Sequence, residues 1–275
     1  MRIPVSRPVP GTPPDEVVAA FGIASVGSPL RPSGEDAENW TAERADGTRV
    51  VLRFERYGGR PFDAIIGWSR RLVASGVRSV EPLAAVDGVD VVRHTSGDWT
   101  CWRRIDGEPV DPTVDAARSA GALLVDIHAV DPGGPGPEPW ALRWLDALGE
   151  RDPAAAQRLA DLRGPARICH GDLHAANCLQ VGGVLWAVDL MDAGVADPAL
   201  DCAIAAAYWG ASGGPAVAQA FLAGYSARRG VDVGCSPALV ADAAALLLLR
   251  DGALGDPDAE LLAEFLTVWD SERPA

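Results

Sequence analysis

The sequence contains no lysine, and all 24 of its basic residues are arginine. Mechanisms that need a lysine Schiff base, or a lysine ammonium group on a phosphate, are therefore excluded. Asparagine is almost as scarce and occurs only at Asn39 and Asn177. Both amino acids have A-rich codons, so a GC-rich genome explains the shortage, and the 30 glycines and 22 prolines point the same way. An asparagine that persists against such a background stands out.

Segments typical of membrane or disulfide-linked proteins are also absent. The first eight residues contain no apolar h-region, and an apolar run such as Ala243 to Leu249 is far too short to cross a bilayer. The five cysteines form no CxxC pair, so the sequence indicates neither a disulfide framework nor a zinc cluster. We expect a cytoplasmic protein.

Positive charge is in short supply, because 38 acidic residues face 24 basic ones and the formal net charge is −14. So acidic a chain repels phosphodiester backbones and anionic headgroups, and we expect neither nucleic acid nor a membrane surface as a partner. A hydrophobic content of 48% with 9 tryptophans provides for a sizeable core. A globular protein of enzyme size is the starting expectation.

The predicted elements change character near residue 105. Before it, hydrophobic alternation and turn signals predict mostly strands, and after it helical periodicity dominates. We therefore predict a β-rich lobe at 1–105 and a helical lobe at 106–275. The principal predicted elements are a hairpin around Asp46-Gly47, a helix over Phe62–Ser75, strands over Val89–Val92 and Trp99–Arg104, a linker at 106–109, a long helix over Pro112–Val130, and helices near 140–148, 153–162, 198–209, 215–228, 237–250 and 257–270.

The stretch 167–198 interrupts the helical half and concentrates polar residues. The glycine pair 182–183 predicts a two-residue hairpin turn, whose register places Asn177 opposite Val188. Asn177 and Asp189 would then lie side by side at the open end of the hairpin, with Asp172 on the loop that leads into it. Two carboxylates and an amide oxygen form a site suited to Mg²⁺, and such a site suits phosphoryl transfer.

These residues carry a family resemblance. The segment HGDLHAAN at 170–177, followed by VDLMDAGVADP at 188–198, resembles the aminoglycoside phosphotransferase family, whose pattern is HGDxxxxN and then a metal-binding aspartate. That family is related to choline kinase and has the protein-kinase-like fold. The resemblance implies an α+β, two-lobed protein with a small β-rich N-lobe and a larger, mostly helical C-lobe.

By this resemblance, Asp172 would be the catalytic base or the residue that orients the acceptor hydroxyl. Asn177 and Asp189 would be the Mg²⁺ ligands. Asp192 and Asp197 are candidate substrate contacts, although Asp197 followed by proline is also a good helix start.

His170 in this stretch, and Asp201 shortly after it, are expected to brace the catalytic loop. The i, i+4 spacing of His170 and His174 also admits a zinc site, but zinc would require a third nearby ligand.

The resemblance extends upstream to the nucleotide site. Ser33 and Gly34, with Asn39 after them, resemble a short glycine-containing nucleotide loop. Arg53 fills the place of the cation that contacts the α- and β-phosphates.

The strand that enters the hinge would turn backbone groups near Trp102 and Arg103 toward the purine. The helix at 63–75 departs from the family, because it offers no glutamate to pair with the phosphate-binding cation. An arginine can hold phosphate in a bidentate manner and is always charged, so it depends less on such a partner than a lysine does.

The expected function is Mg²⁺-dependent transfer of the γ-phosphoryl group of ATP or GTP to a hydroxyl of a small molecule. The leading hypothesis for the acceptor is an antibiotic of aminoglycoside, peptide or nucleoside type, in resistance or self-resistance. The alternatives are a metabolic kinase for a sugar, amino alcohol or homoserine-like acceptor, and a kinase-like binding protein without turnover. The sequence does not indicate an oligomeric state.

Overall fold

The computed structural model describes residues 11–30, 37–55, 61–229, 235–254 and 258–271. The chain forms two compact units, Met1–Arg70 with Val80–Asp106, and Arg71–Ser79 with Gly107–Ala275. The predicted lobes, 1–105 and 106–275, differ from these units in residues 71–79 and by one residue at the second boundary.

The elements of the first unit are α1 (Asp15–Ala20), β1 (Ile23–Pro29), β2 (Ala37–Arg44), β3 (Arg49–Glu55), the greater part of α2 (Phe62–Ala74), β4 (Val92–His94) and β5 (Gly97–Arg103). The five strands form one antiparallel sheet with the order β1-β2-β3-β5-β4. The predicted hairpin joins β2 to β3, and its turn is set by Gly47, at a φ of 82°, and by the Asp46 carboxylate, which accepts the Thr48 N–H at 2.9 Å.

The two faces of strand β3 differ in chemistry. Val50, Leu52 and Phe54 lie in the apolar core of the unit. Trp99 of β5 packs there against Phe54, with ring centroids 5.2 Å apart. The alternate residues, which include the buried Arg53, occupy the opposite face of the strand. A strand that alternates in this way can anchor the sheet and present a cation at the same time.

The fourth strand differs from the prediction. It begins at Val92 rather than Val89, because residues 85–89 form a turn at Gly88, whose φ is 90°. In that turn the Ala85 N–H donates to the Val89 carbonyl at 2.7 Å. Strand β1 was not predicted, since only two of its seven residues are large and apolar and one of them is half-exposed.

The second unit is mostly helical. Its elements are β6 (Glu108–Pro109), α3 (Val114–His128), α4 (Leu145–Arg151), α5 (Pro153–Ala160), β7 (Arg167–Cys169), β8 (Cys178–Val181), β9 (Val184–Ala187), β10 (Gly194–Ala196), α6 (Pro198–Gly213), α7 (Pro215–Arg229), α8 (Pro237–Leu254) and α9 (Asp258–Ser271), with 3-10 turns at Trp140–Trp144, Ala175–Asn177 and Leu190–Asp192. None of the described helices is long and apolar enough to span a membrane.

Helix α6 lies at the centre of this unit, and every residue from Pro198 to Gly210 is buried. Helices α3 and α7 pack closely through small residues. A Cβ atom on Gly121 would lie 2.1 Å from the Phe221 carbonyl oxygen, and one on Gly224 would lie 2.0 Å from that of Arg118. Backbone therefore meets backbone at this crossing, which fixes α3 against α7.

Two small sheets carry the loops between the helices. The predicted turn at 182–183 joins β8 to β9 with Val181 opposite Val184. Strand β6 pairs with β8, so residues 108–109 belong to a sheet and not to the expected linker. Strands β7 and β10 pair with each other, with Cys169 opposite Gly194.

Candidate active site

The backbone of the loop after β7 is held by Asp201 of α6. One Asp201 carboxylate oxygen accepts the His170 N–H at 2.7 Å, and the other accepts the Gly171 N–H at 2.8 Å. His128 of α3 contacts the same carboxylate through Nε2 at 2.9 Å, and its Nδ1 lies 2.6 Å from the Tyr225 hydroxyl. The bracing role expected for Asp201 is confirmed, and α3, α6 and α7 together position the loop.

Gly171 allows this loop to turn tightly. Its φ is 80°, in the region that favours glycine, and a Cβ atom here would lie 2.2 Å from the Asp192 carbonyl oxygen. Residue 171 therefore has to be glycine for the next residue, Asp172, to take its observed position.

The two oxygens of the Asp172 carboxylate have different neighbours. Oδ2 accepts a hydrogen bond from Asn177 Nδ2 at 2.9 Å and lies 3.5 Å from His174 Nε2. Oδ1 lies 3.5 Å from Nη2 of Arg250, which belongs to α8. Burial by itself would raise the pKa of Asp172, but the His174 imidazole, Arg250 and His170 outweigh it and hold that pKa well below its usual range. Asp172 is thus an ionised, oriented carboxylate.

The two histidines of the loop have different partners. His170 is fully buried and donates from Nε2 to the Val188 carbonyl at 3.0 Å, which confirms its expected bracing role. His174 faces Asp172 and packs on the Tyr208 ring at 5.2 Å between centroids.

Within the described residues, the His, Cys, Asp and Glu side chains close enough together to hold a metal are His128, Cys169 and Asp201. Asp201 already accepts two backbone N–H groups and contacts His128. The described residues therefore give the zinc hypothesis no ligand set at His170 and His174.

The open end of the β8–β9 hairpin has the predicted register, with Asn177 opposite Val188. The Asn177 carbonyl accepts the Val188 N–H at 2.9 Å, so Asp189 leaves the hairpin beside Asn177. The Asn177 amide nitrogen donates to two acceptors of Asp172, its carboxylate Oδ2 and its backbone carbonyl, each at 2.9 Å. Since both partners can only accept, the amide orientation is fixed and its oxygen points to the opposite side.

Asp189 has an unusual backbone conformation. Its φ is 58°, and within the described part of the chain it is the one non-glycine residue with a positive φ. Its carboxylate accepts the Met191 N–H at 3.3 Å. An aspartate held in the left-handed region is a strained arrangement of the kind that is concentrated at functional sites.

The two candidate substrate residues occupy different places. Asp192 is buried and lies 3.0 Å from Nη1 of Arg250. Asp197 caps α6, accepting the Ala199 N–H at 2.8 Å and also the Gly164 N–H. Asp192 therefore shares Arg250 with Asp172, whereas the described side-chain bonds of Asp197 cap α6 and hold the backbone at Gly164.

Arg250 is the site residue that sequence reasoning missed. The available signal was one arginine, followed by an aspartate, at the end of an apolar helical run. Such a charged pair on a core helix requires partners, but the sequence does not say which ones.

The predicted nucleotide residues of the first unit are only partly described. Ser33 and Gly34 lie outside the described residues. Asn39 of β2 pairs with Arg53 of β3, which pairs in turn with Thr100 of β5, and these three buried residues form a row across the sheet.

The hinge residues are bonded within their own unit. The Trp102 indole N–H donates to the Thr100 hydroxyl at 2.9 Å, and the Arg103 N–H donates to the Glu81 carbonyl at 2.8 Å. The purine contact expected near Trp102 and Arg103 stays a prediction, and it cannot use that Arg103 N–H without breaking its bond to Glu81.

Helix α2 contains no glutamate. Ile65 and Ile66, near the position where the family would place one, are both buried. Glu55 instead lies two residues after Arg53 on the same face of β3, and it is buried as well.

Comparison with solved structures shows the fold. An amicoumacin kinase in complex with AMP-PNP, Ca²⁺ and Ami is 17% identical, with a TM-score of 0.70 over 94% of this chain and 92% of that one. A thermostable mutant of the aminoglycoside phosphotransferase APH(4)-Ia, in a ternary complex with ADP and hygromycin B, is 16% identical, with a TM-score of 0.66 over 95% and 99% of the two chains. A choline/ethanolamine kinase family protein from Mesorhizobium loti is 19% identical, with a TM-score of 0.62 over 90% and 89%.

No curated protein matches the sequence. The model of the phosphotransferase enzyme family APH matches residues 29–234, which is more than half of the chain. The resemblance at HGDLHAAN and the α+β kinase-like fold are both confirmed, and the chain belongs to the APH phosphotransferase family.

Proposed function

We propose that this protein transfers the γ-phosphoryl group of ATP or GTP to a hydroxyl group of a small molecule, with Mg²⁺. The observation that carries the proposal is the Asp172 carboxylate, which is ionised, fixed by partners on both oxygens and bonded directly to the candidate metal ligand Asn177. Membership of the APH family supports phosphoryl transfer in general, and the hydroxyl acceptor, the metal and the nucleotide contacts are inferred from the site.

Asp172 orients the acceptor. In the reaction, the acceptor oxygen bonds to the γ-phosphorus, the bond to the bridging oxygen breaks, and the nucleoside diphosphate leaves with the electron pair. The hydroxyl proton passes to Asp172 and then to solvent. A carboxylate with a low pKa is a weak base, which suits a loose transition state in which little proton transfer precedes bond breaking.

The donor set around Asp172 fits Mg²⁺. The Asn177 amide oxygen, on the side opposite Asp172, and the Asp189 carboxylate would hold the ion, since both are hard oxygen ligands. When bound, the ion would neutralise charge on the phosphates. The strained Asp189 backbone supports this assignment, because such a conformation persists only where the surroundings impose it.

Arg53 would bind the nucleotide phosphates together with Asn39, its neighbour in the row, and with the loop of Ser33 and Gly34. Arg53→Ala should weaken nucleotide binding about tenfold or more, since a charge-assisted hydrogen bond contributes about 1.5–3 kcal/mol. Arg49→Ala is the matched control, because Arg49 lies on the same strand but is exposed and pairs with Asp106. Titration calorimetry with Mg·ATP and Mg·GTP tests this prediction, and equal affinity of Arg53→Ala and Arg49→Ala would contradict it.

We infer an antibiotic as the acceptor, in resistance or self-resistance. Two of the structurally similar proteins are described as an amicoumacin kinase and an aminoglycoside phosphotransferase, and each was solved with its antibiotic. The choline/ethanolamine kinase family protein supports a second candidate, a metabolic kinase for an amino alcohol.

A panel of antibiotics, amino alcohols, sugars and homoserine, incubated with Mg·ATP or Mg·GTP, tests the function by the mass of the product. A gain of one phosphoryl group is the expected result. Asp172→Ala should lower the rate by about 10²- to 10⁴-fold. Asp115→Ala removes an exposed carboxylate of α3 and should leave the rate unchanged. Nucleotide binding without any phosphorylated product would favour the kinase-like binding protein instead.

A further inference from the structure

Arg250 reaches Asp172 from α8, 78 residues further along the chain. The side chain is 8% exposed, and each of its three guanidinium nitrogens has an acceptor. Nε donates to Asp251 at 2.5 Å, Nη1 donates to Asp192 at 3.0 Å, and Nη2 donates to the Tyr208 hydroxyl and contacts Asp172 at 3.5 Å.

The partners of Arg250 are themselves anchored. Tyr208 of α6 donates to the second oxygen of Asp251 at 2.9 Å, so Tyr208, Arg250 and Asp251 form a closed ring of hydrogen bonds. Asp192 belongs to the turn whose carbonyl packs against Gly171. The guanidinium plane is therefore set by groups on α6, on α8 and in the catalytic region.

The contact with Asp172 is the longest of the four. Arg250 Nη2 approaches Oδ1 of Asp172, whereas the Asn177 hydrogen bond goes to the other carboxylate oxygen, Oδ2. Because Asp251, Asp192 and Tyr208 hold the guanidinium group, its positive charge lies at a fixed position beside Oδ1. Oδ1 has further lone pairs and can still accept a hydrogen bond from the hydroxyl of the substrate.

We propose that Arg250 is a positioning residue for Asp172, which clamps its carboxylate from the side opposite Asn177 so that one oxygen faces the acceptor hydroxyl. This role rests on the phosphotransferase function proposed above. Arg250 acts through Asp172 and does not itself contact the reacting atoms. The alternative is a purely structural arginine that compensates the charge of buried carboxylates.

Kinetics with the acceptor found in the panel distinguish the two roles. Arg250→Gln should lower kcat about tenfold or more and leave the nucleotide KM within about threefold, since misplacement of a catalytic group by about 1 Å costs up to 10²-fold. Arg250→Lys, which keeps the charge and loses the fork, should recover part of kcat. Arg158→Gln is the matched control: it also removes an arginine paired with α8, through Asp242, and should keep wild-type kcat. Equal kcat for Arg250→Gln and Arg158→Gln would overturn the proposal.

Two further experiments cover the cases in which Arg250→Gln does not fold or no acceptor is found. If Arg250→Gln does not fold, Arg250→Lys carries the test: a reduced kcat at unchanged KM supports positioning, and wild-type kcat overturns it. If the wild-type protein phosphorylates no acceptor, the proposed function fails, and a crystal structure of Arg250→Lys still reports the Asp172 carboxylate. A rotated carboxylate supports the clamp, whereas an unchanged one overturns it.

Discussion

At the scale of single residues, the ionisation of the buried Asp251 makes the free energy of unfolding depend on pH. Burial raises its pKa from 3.8 to about 6, and the hydrogen bond from Arg250 offsets that only in part. Between these values the folded protein binds more protons than the unfolded chain, so the contribution of Asp251 to stability decreases as pH rises and is smallest above pH 6. At neutral pH an ionised Asp251 therefore destabilises the fold.

Asp251→Asn should remove this pH-dependent cost. Asparagine keeps an acceptor for Arg250 and can donate to the Tyr208 hydroxyl, while its side chain does not ionise. Relative to wild type, the variant should gain up to about 3 kcal/mol in unfolding free energy between pH 4 and pH 7.5, at about 1.4 kcal/mol per tenfold change in the acid constant. Urea unfolding at several pH values measures the difference, and parallel curves for the two proteins would contradict the prediction.

The residues of the site differ in how far the sequence could place them. Asn177 is bonded to Asp172, and Asp189 follows the residue that pairs with Asn177 across one hairpin, so local spacing was enough to place these three residues. Arg250 is fixed by packing between helices that are distant in sequence. The sequence shows that this arginine interrupts an apolar run, but the identity of its partners is a property of tertiary structure.

At the scale of elements, the loop from β7 to Asp172 depends on Gly171. Gly171→Ala should abolish most activity and destabilise the fold by more than about 2 kcal/mol, because it adds a backbone clash with Asp192 to the cost of the left-handed conformation. Gly183→Ala is the matched control, since its φ is 83° and a Cβ atom there has no neighbour within 4 Å. It should cost only about 1–2 kcal/mol and leave activity intact. Thermal unfolding and turnover of the two variants test this, and similar losses in both would argue against a special constraint at Gly171.

Elements set by neighbouring residues were predicted from the sequence, whereas elements set by partners far along the chain were not. The β8–β9 turn at 182–183 and the start of α6 at Asp197 were predictable, since a glycine pair and an aspartate before proline act within a few residues. Strand β6 has two residues, and β7 and β10 have three each. Strands so short are defined by partners far along the chain, which a pattern of alternation cannot reveal. For that reason the sequence predicted a linker where β6 lies.

At the scale of the whole molecule, similarity of fold does not identify the acceptor. Antibiotic kinases and a choline/ethanolamine kinase family protein match this chain about equally well, with TM-scores between 0.62 and 0.70 at 19% identity or less. What these matches share with the chain is the fold. The acceptor is therefore to be found by experiment, and the product of the acceptor panel is the measurement that identifies it.

The net charge of −14 also leads to a prediction for the whole molecule. Uncompensated like charges destabilise a compact state, and salt screens them as the Debye length falls from about 30 Å at 0.01 M to about 8 Å at 0.15 M. Salt also weakens exposed ion pairs such as Arg70–Asp90, but each contributes only about 0–1 kcal/mol. Repulsion should therefore prevail, and Tm at pH 8 should rise by about 2–5 °C between 0.01 and 0.15 M NaCl. Near pH 4.6, where the net charge approaches zero, calorimetry should show no such rise. A Tm that falls with salt at pH 8, or rises equally at both pH values, would mean that paired charges and not the acidic excess govern the electrostatics of the fold.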